Sequence, residues 1–476
     1  MVFSSIVFLL YFLPLVVVCY YFLPHKFKNL FLLIASAFFY AWGAPKFIFV
    51  ILITTLFDFF IVQAIDSQQK KIKKKLLFIF SVSINVGLLF YFKYFNFFIE
   101  NINVLLNNND YETWPLLNVI LPIGISFYTF ESLTYVVDVY LGKHKPLKKF
   151  IDYQLYILLF PKLIAGPIIR YSDIANQITD RFKTYSSENI IRGFRRFVIG
   201  LCKKVIIANT LGEVADQIFS APTENIDTID TWLGMFSYTF QLYFDFSGYS
   251  DIALGIGTML GFTFPENFNN PYNSNSVTNF WQRWHISLGT WMRNYLYIPL
   301  GGNKVNLLRI YFNLWIVFLI SGFWHGAEWT FIVWGIYHGL FLVIERMGFS
   351  KILSKIPNII SVLITFLIVS IGWVLFRSKD LAFGADYISN LFNSKLNNHE
   401  SIIKYTLQFK TTFVVAVIFS FCCLNSWVVK FFDFLFIKKL NPIYNFIFSI
   451  MSVILLSICI SYIAITNFNP FIYFRF

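Results

Sequence analysis

Long apolar runs separated by short polar or basic connectors make up almost the whole chain. A helix that crosses a bilayer needs about 20 apolar residues. About twelve segments meet that measure, near 5–23, 29–42, 46–65, 76–98, 116–140, 196–218, 231–262, 308–323, 326–345, 357–376, 411–429 and 442–467. The second and eighth are short, and the seventh is long and polar. A further apolar stretch, 151–169, carries Pro161 and the pair Gly166-Pro167. Broken backbone at membrane depth must be buried in protein or line a wet cavity, so this stretch reads as a re-entrant or surface helix. The expectation is an all-α polytopic membrane protein with about 11–13 transmembrane or re-entrant helices. The first run lacks a basic leading region and a small-residue cleavage site, so it reads as a retained span.

Composition agrees with the pattern. Hydrophobic residues make up 57% of the 476 positions and charged residues 13%, whereas soluble domains carry about a quarter charged residues. The net charge of +13 raises nucleic acid as a partner. The positive residues, however, fall in short clusters between apolar runs, as in Lys70-Lys-Ile-Lys-Lys-Lys75 and Lys143-His-Lys-Pro-Leu-Lys-Lys149. That is the positive-inside pattern, and no separate basic module stands apart from the spans, so no nucleic-acid partner is expected. The basic segments near 66–75, 141–149, 192–204 and 438–439 are expected on the cytoplasmic side. The segments 100–113 and 219–231, with acids and no Lys or Arg, are expected outside. Threading the spans by that rule puts both termini outside and the loop with Arg283, His285 and Arg293 in the cytoplasm.

No internal repeat or low-complexity linker divides the sequence, so residues 1–476 read as a single membrane domain. The one long polar loop late in the chain, 377–410, is expected either to carry an amphipathic helix around 380–392 at the outer interface or to be a plain connector. Five scattered cysteines, Cys19, Cys202, Cys422, Cys423 and Cys459, show neither a disulfide framework nor metal-ligand spacing and read as packing residues.

Candidate chemistry rests on the histidines, because an ionisable group inside a membrane protein marks function by default. His25, His144 and His399 lie in polar loops and read as solvated. His285 lies in Asn279-Phe-Trp-Gln-Arg-Trp-His285 and His325 in Ser321-Gly-Phe-Trp-His325, each directly after a tryptophan. His325 sits in a Gly322–Gly326 break between two apolar segments, where an imidazole can take a proton from a hydroxyl and return it to a leaving group. His285 can orient an acceptor or polarise a carbonyl, with a structural role as its competing reading. His338 reads as structural. No H-x-x-x-H or H-E-x-x-H pattern supports a metal, and no G-x-S-x-G elbow supports a serine nucleophile. Asp245, Ser247 and Asp251 fall inside an apolar stretch. Buried carboxylates need partners, so these three are expected in an interhelical network, with direct substrate contact as the alternative.

Several strings together resemble the membrane-bound O-acyltransferase family: Met1-Val-Phe-Ser-Ser-Ile-Val-Phe8, Phe39-Tyr-Ala-Trp-Gly43, Phe160-Pro-Lys-Leu-Ile-Ala-Gly-Pro167 and the block from Tyr243 to Asn303 with its extension to His325. The similarity covers about 1–350. It is to the bacterial polysaccharide branch, which holds the membrane subunits for alginate and peptidoglycan O-acetylation and the D-alanyl transferase of teichoic acid. The resemblance implies a central tunnel, acetyl-CoA presented from the cytoplasm with no tightly bound cofactor, and an extracytoplasmic glycan as final acceptor. It implies His325 as the catalytic histidine, His285 as the second histidine of the signature, and Trp284, Trp324, Asn279, Arg283, Asp245 and Ser247 as lining residues. It also implies a separate periplasmic esterase-like transferase as partner. The ending Phe468-Asn-Pro-Phe-Ile-Tyr-Phe-Arg-Phe476 is similar to the ending of a small companion peptide of teichoic acid D-alanylation. That similarity makes Tyr473 a candidate acyl carrier, against a plain interfacial aromatic anchor. Peptidoglycan is the first expected glycan and alginate the second. A flippase for a lipid-linked sugar and a non-catalytic scaffold are the rival readings. The absence of a visible inverted repeat weighs against the first of these.

Overall fold

The computed structural model describes residues 1–164, 166–181, 186–393, 405–424, 441–466 and 468. Tyr473, His399 and the expected span end 425–429 lie outside the described residues, and the side chain of Cys423 is also outside them. Every regular element among the described residues is helical. Among the described residues six helices are long and apolar enough to cross a bilayer: Ile48–Ser67, Lys71–Asn107, Leu307–His325, Trp329–Leu353, Asn358–Arg377 and Pro442–Ile465. Two shorter apolar helices, Phe8–Phe22 and Leu407–Phe421, add to them. The protein is thus an all-α, multi-pass membrane protein.

The remaining expected spans are modified by local chemistry. Segment 116–140 is helical only over Ile125–Tyr140, because Pro115 and Pro122 break the run before it and Gly124 turns the chain at φ 77°. A side chain at Gly124 would also meet the Leu163 carbonyl at 2.7 Å. Segment 231–262 is helical to Met259, in the 32-residue helix Thr228–Met259, and its last three residues lie beyond the helix. Segment 196–218 runs through Ser187–Cys202, a π-helical stretch Lys203–Ala208 and Asn209–Ser220.

The chain forms two compact units, 1–190 with 256–265, and 191–255 with 266–476. In the first unit, several polar groups carried into helix contacts are satisfied in pairs and triads. Asp58 accepts from Ser81 Oγ at 2.7 Å and from Asn85 Nδ2 at 2.9 Å. Glu131 and Lys162 form a fully buried ion pair, and the Ile169 N–H also donates to Glu131. The stretch 151–169 is broken as its prolines require, into Phe150–Leu158 and Phe160–Leu163. Residues 155–160 are all fully buried, which corrects the surface-helix alternative. Phe160 explains part of that burial, since its ring packs with Phe8, Phe12 and Phe39.

The second unit holds the candidate chemistry. Its core is aromatic: Tyr243, Tyr272, Phe280, Trp284, Trp334, Phe366 and Trp373 are all buried and in one cluster. Helices Leu307–His325 and Trp329–Leu353 pack very closely. A Cβ at Gly322 would lie 2.3 Å from the Phe331 carbonyl oxygen, and one at Gly335 would lie 2.4 Å from that of Phe318. Small residues permit such approach between membrane helices. A helix does form in the late polar loop, at Leu381–Asn390, capped by Asp380 and burying Phe383 and Tyr387.

Candidate active site

His325 is the last residue of helix Leu307–His325. That helix begins where the Asn306 side chain accepts from the Arg309 N–H at 2.9 Å, and it ends at Gly326, whose extended backbone stops the helical ladder. The break therefore begins one residue after His325; Gly322 lies inside the helix and serves the close packing described above. His325 is 7% exposed and walled by aromatics. Its ring centroid lies 4.9 Å from Trp324, 5.3 Å from Trp334 and 5.2 Å from Phe376.

His285 is placed by a different device. The helix Val277–Arg283 starts with Ser276 accepting from the Asn279 N–H at 3.0 Å. Buried Glu345 holds the same end, accepting from the Thr278 N–H at 2.8 Å and Thr278 Oγ at 2.6 Å. His285 then turns the chain at φ 45° and ψ 53° before helix Ile286–Met292. This left-handed conformation is uncommon for a residue with a side chain. Two backbone bonds fix it: Asn269 N–H to the Arg283 carbonyl and Ile286 N–H to the Asn267 carbonyl, each 2.9 Å. The ring is 2% exposed, with Phe246 edge-on at 4.6 Å. Burial pushes its pKa down to about 3, so the imidazole is neutral near pH 7.

The two histidines share one tryptophan. Trp324 lies 6.3 Å from His285 and 4.9 Å from His325, ring to ring. Trp334 continues the array from His325 to His338, at 5.3 and 5.2 Å. His338 is fully buried, 5.0 Å from Trp281.

The other predicted lining residues separate. Ser247 lines a cavity of about 110 Å³ together with Arg196, Lys203, Ser250, Asp251, Glu266 and Asn267. Asp245 is held 2.7 Å from Lys204 in an ion pair buried on both sides, and Asp251 accepts from Arg196 at 2.9 Å and Lys203 at 2.7 Å. Trp284 turns into the aromatic core, 4.9 Å from Trp373 and 5.0 Å from Phe268. Asn279 and Arg283 are half-buried on the helix that leads to His285. Among the described residues no group of three or more His, Cys, Asp or Glu could hold a metal ion. Sequence reasoning missed Asn267, which lies 18 positions before His285 in what reads as a connector. The available signal was the density of asparagines in Asn267-Phe-Asn-Asn270 next to apolar spans.

Chemically, the unit presents a neutral buried imidazole and a second imidazole at a helix C-terminus, with the Trp324 ring in contact with both. Such a site suits proton transfer to and from a hydroxyl group. Comparison with known proteins points the same way. The model of the membrane-bound O-acyltransferase family matches residues 34–374. The chain is 45% identical to the probable alginate O-acetylase AlgI of Pseudomonas aeruginosa, over 80% of this chain and 73% of that protein. It is 36% identical to the peptidoglycan O-acetyltransferase of Helicobacter pylori, over 100% of this chain and 98% of that one. A teichoic acid D-alanyltransferase of Bacillus subtilis is 28% identical over 56% of this chain. With a family model spanning far more than half its length and relatives of this identity aligned across most of it, the chain belongs to the membrane-bound O-acyltransferase family, in the branch that O-acetylates bacterial polysaccharides and peptidoglycan.

Proposed function

We propose that this protein is an inner-membrane O-acetyltransferase that takes acetyl from cytoplasmic acetyl-CoA for the O-acetylation of an extracytoplasmic glycan. The observation that carries the reading is the Trp-linked pair of buried histidines in a chain matched by the family model over 34–374. Peptidoglycan is the favoured glycan, because the relative named for it aligns with this chain from end to end. Alginate is second, supported by the higher identity over a shorter share.

His325 accepts the proton of an acceptor hydroxyl as its oxygen attacks the thioester carbonyl. The carbon–sulfur bond breaks, and the CoA thiolate leaves with that proton. His285, neutral and acceptor-competent at one nitrogen, orients the acceptor hydroxyl. The first acceptor is Tyr473 in the C-terminal tail. Acetyl-CoA is too large and charged to cross a bilayer, whereas an acetyl ester on a tail is small and neutral, so covalent relay divides one transfer into two. A periplasmic esterase-like transferase then moves the acetyl group to the glycan.

The test is mass spectrometry of purified protein incubated with isotopically labelled acetyl-CoA, comparing wild type with His325→Ala and Tyr473→Phe. Label on the C-terminal peptide that vanishes in both variants supports the relay. Label at another residue, or full turnover by Tyr473→Phe, overturns it.

A further inference from the structure

We infer that Asn267 is a positioning residue that fixes which nitrogen of His285 carries the proton, leaving Nε2 as the nitrogen that works on substrate. The inference rests on the acetyltransferase reading above for its consequence, but not for its geometry.

Asn267 is 1% exposed and its side chain is fully engaged. Its Oδ1 accepts from the Ser287 N–H at 3.2 Å and from Ser287 Oγ at 2.9 Å, and faces His285 Nδ1 at 3.1 Å. Its Nδ2 donates to Ser250 Oγ at 3.0 Å. The two ends of an asparagine amide are often hard to tell apart, but here one contact decides. A backbone N–H can only donate, so the atom facing Ser287 N is the oxygen. An oxygen of that kind cannot donate to His285 Nδ1, so Nδ1 must donate to it and therefore carries the proton. Ser287 Oγ lies 3.4 Å from the same nitrogen. Its own hydrogen is directed to Asn267 Oδ1 at the shorter distance, so it too meets Nδ1 as an acceptor.

A neutral imidazole protonated at Nδ1 has its lone pair at Nε2. Among the described residues His285 Nε2 is buried and has no hydrogen-bond partner. A buried acceptor left open is costly and is retained where something else supplies the donor. In this reading that donor is the hydroxyl of the acyl acceptor. Backbone geometry reinforces the assignment: the Asn267 carbonyl accepts from Ile286 N–H, so the residue that reads the ring also helps hold His285 at its left-handed φ of 45°. Ser250 ties the arrangement to helix Thr228–Met259, and Ser247 from the same helix lines the adjoining cavity beside Asn267.

The deciding experiment is solid-state NMR of the full-length protein in lipid bilayers with 15N,13C-labelled histidine rings, using His285→Ala to identify the His285 resonances. A neutral ring with protonated Nδ1 and bare Nε2 is expected; a proton on Nε2 in the wild type overturns the assignment whatever the activity data show. In parallel, Asn267→Leu is expected to lower kcat for acetyl transfer about 10- to 100-fold with little change in KM for the donor, and to abolish the single-tautomer signal. Asn267→Asp, which keeps an oxygen against Nδ1, should retain the Nδ1-protonated ring and recover part of kcat. Wild-type kcat in Asn267→Leu also overturns the proposal. If Asn267→Leu is not recovered as monodisperse protein, the wild-type spectrum and Asn267→Asp still decide it. The two layers fail separately: full turnover by His285→Ala removes the catalytic use of His285 and leaves the tautomer measured, whereas a wrong tautomer leaves the acetyltransferase reading intact.

Discussion

The roles proposed for His285 and His325 follow from different local surroundings. His325 ends a 19-residue helix among aromatic rings. His285 sits between two short helices, in desolvated surroundings that oppose charge. The expectation for His325→Ala is a loss of about 10²- to 10⁴-fold in acetyl transfer, the usual worth of a general base, with unchanged yield of folded protein. His285 carries a pH signature instead. Its pKa is lowered from the ordinary 6.5 to about 3 by burial, so below pH 6.5 the unfolded chain binds a proton that the folded chain refuses. Stability from this group is complete above 6.5 and falls as pH drops toward 3. At pH 5 the loss is about 2 kcal/mol. Thermal melting of wild type should therefore fall between pH 7 and pH 5 by more than that of His285→Gln; parallel pH profiles for the two proteins would refute the assignment.

At the scale of elements, the close contact of helices Leu307–His325 and Trp329–Leu353 is what brings Trp324, His325 and Trp334 together. Gly322→Ala puts a methyl against the Phe331 carbonyl at 2.3 Å, backbone that cannot swing aside. A cost of about 1–3 kcal/mol is expected in thermal unfolding, with acetyl transfer falling further than stability because His325 moves with its helix. The last described helix, Pro442–Ile465, is joined to the rest of the second unit through Tyr462 OH and Thr210 Oγ1 at 2.8 Å and by Cys459 Sγ at 3.5 Å from Cys202 Sγ. A mild oxidant that accepts the two electrons of the thiol pair should cross-link these cysteines, giving a single joined peptide by mass spectrometry that Cys459→Ser lacks. Apolar runs and tryptophan-flanked histidines were legible in the sequence because span length and buried charge are local properties. Helix edges were less so. Lys71 to Lys75 read as connector yet open the helix Lys71–Asn107, since lysine is a good helix former and a basic run does not end a helix. Asn267 was illegible because its meaning lies in a contact with His285 across a loop, which no spacing rule encodes. The carboxylates Asp245 and Asp251 were recognisable as groups needing partners, but Lys204, Lys203 and Arg196 could be named as those partners only from the packing.

For the molecule as a whole, the proposed function requires that acetyl leave a cytoplasmic thioester and arrive on a glycan outside, which a rigid site would not by itself accomplish. In the proposed relay, Tyr473 takes the acetyl group between the two transfers. The attachment of the tail is visible at one point, where the Phe468 carbonyl accepts from Asn209 Nδ2 at 3.3 Å, and Tyr473 lies five residues further along the chain. Extended chain advances at most about 3.5 Å per residue, so five residues set an upper limit of about 18 Å on the separation of the two Cα atoms. Removing residues 469–476 keeps the Phe468 anchor and every described helix, so the shortened protein should insert and melt as the wild type does. Cells carrying it should nevertheless lose base-labile acetate from peptidoglycan to the level of His325→Ala, while the purified protein still binds acetyl-CoA. Retained glycan acetylation in the shortened strain would mean that the glycan or its transferase reaches the histidines directly, and Tyr473 would then be an anchor at the membrane surface. Loss of acetate together with a lowered melting temperature would instead make the tail a structural clamp, a result separable from the relay because Tyr473→Phe, which removes only the hydroxyl, should then acetylate normally.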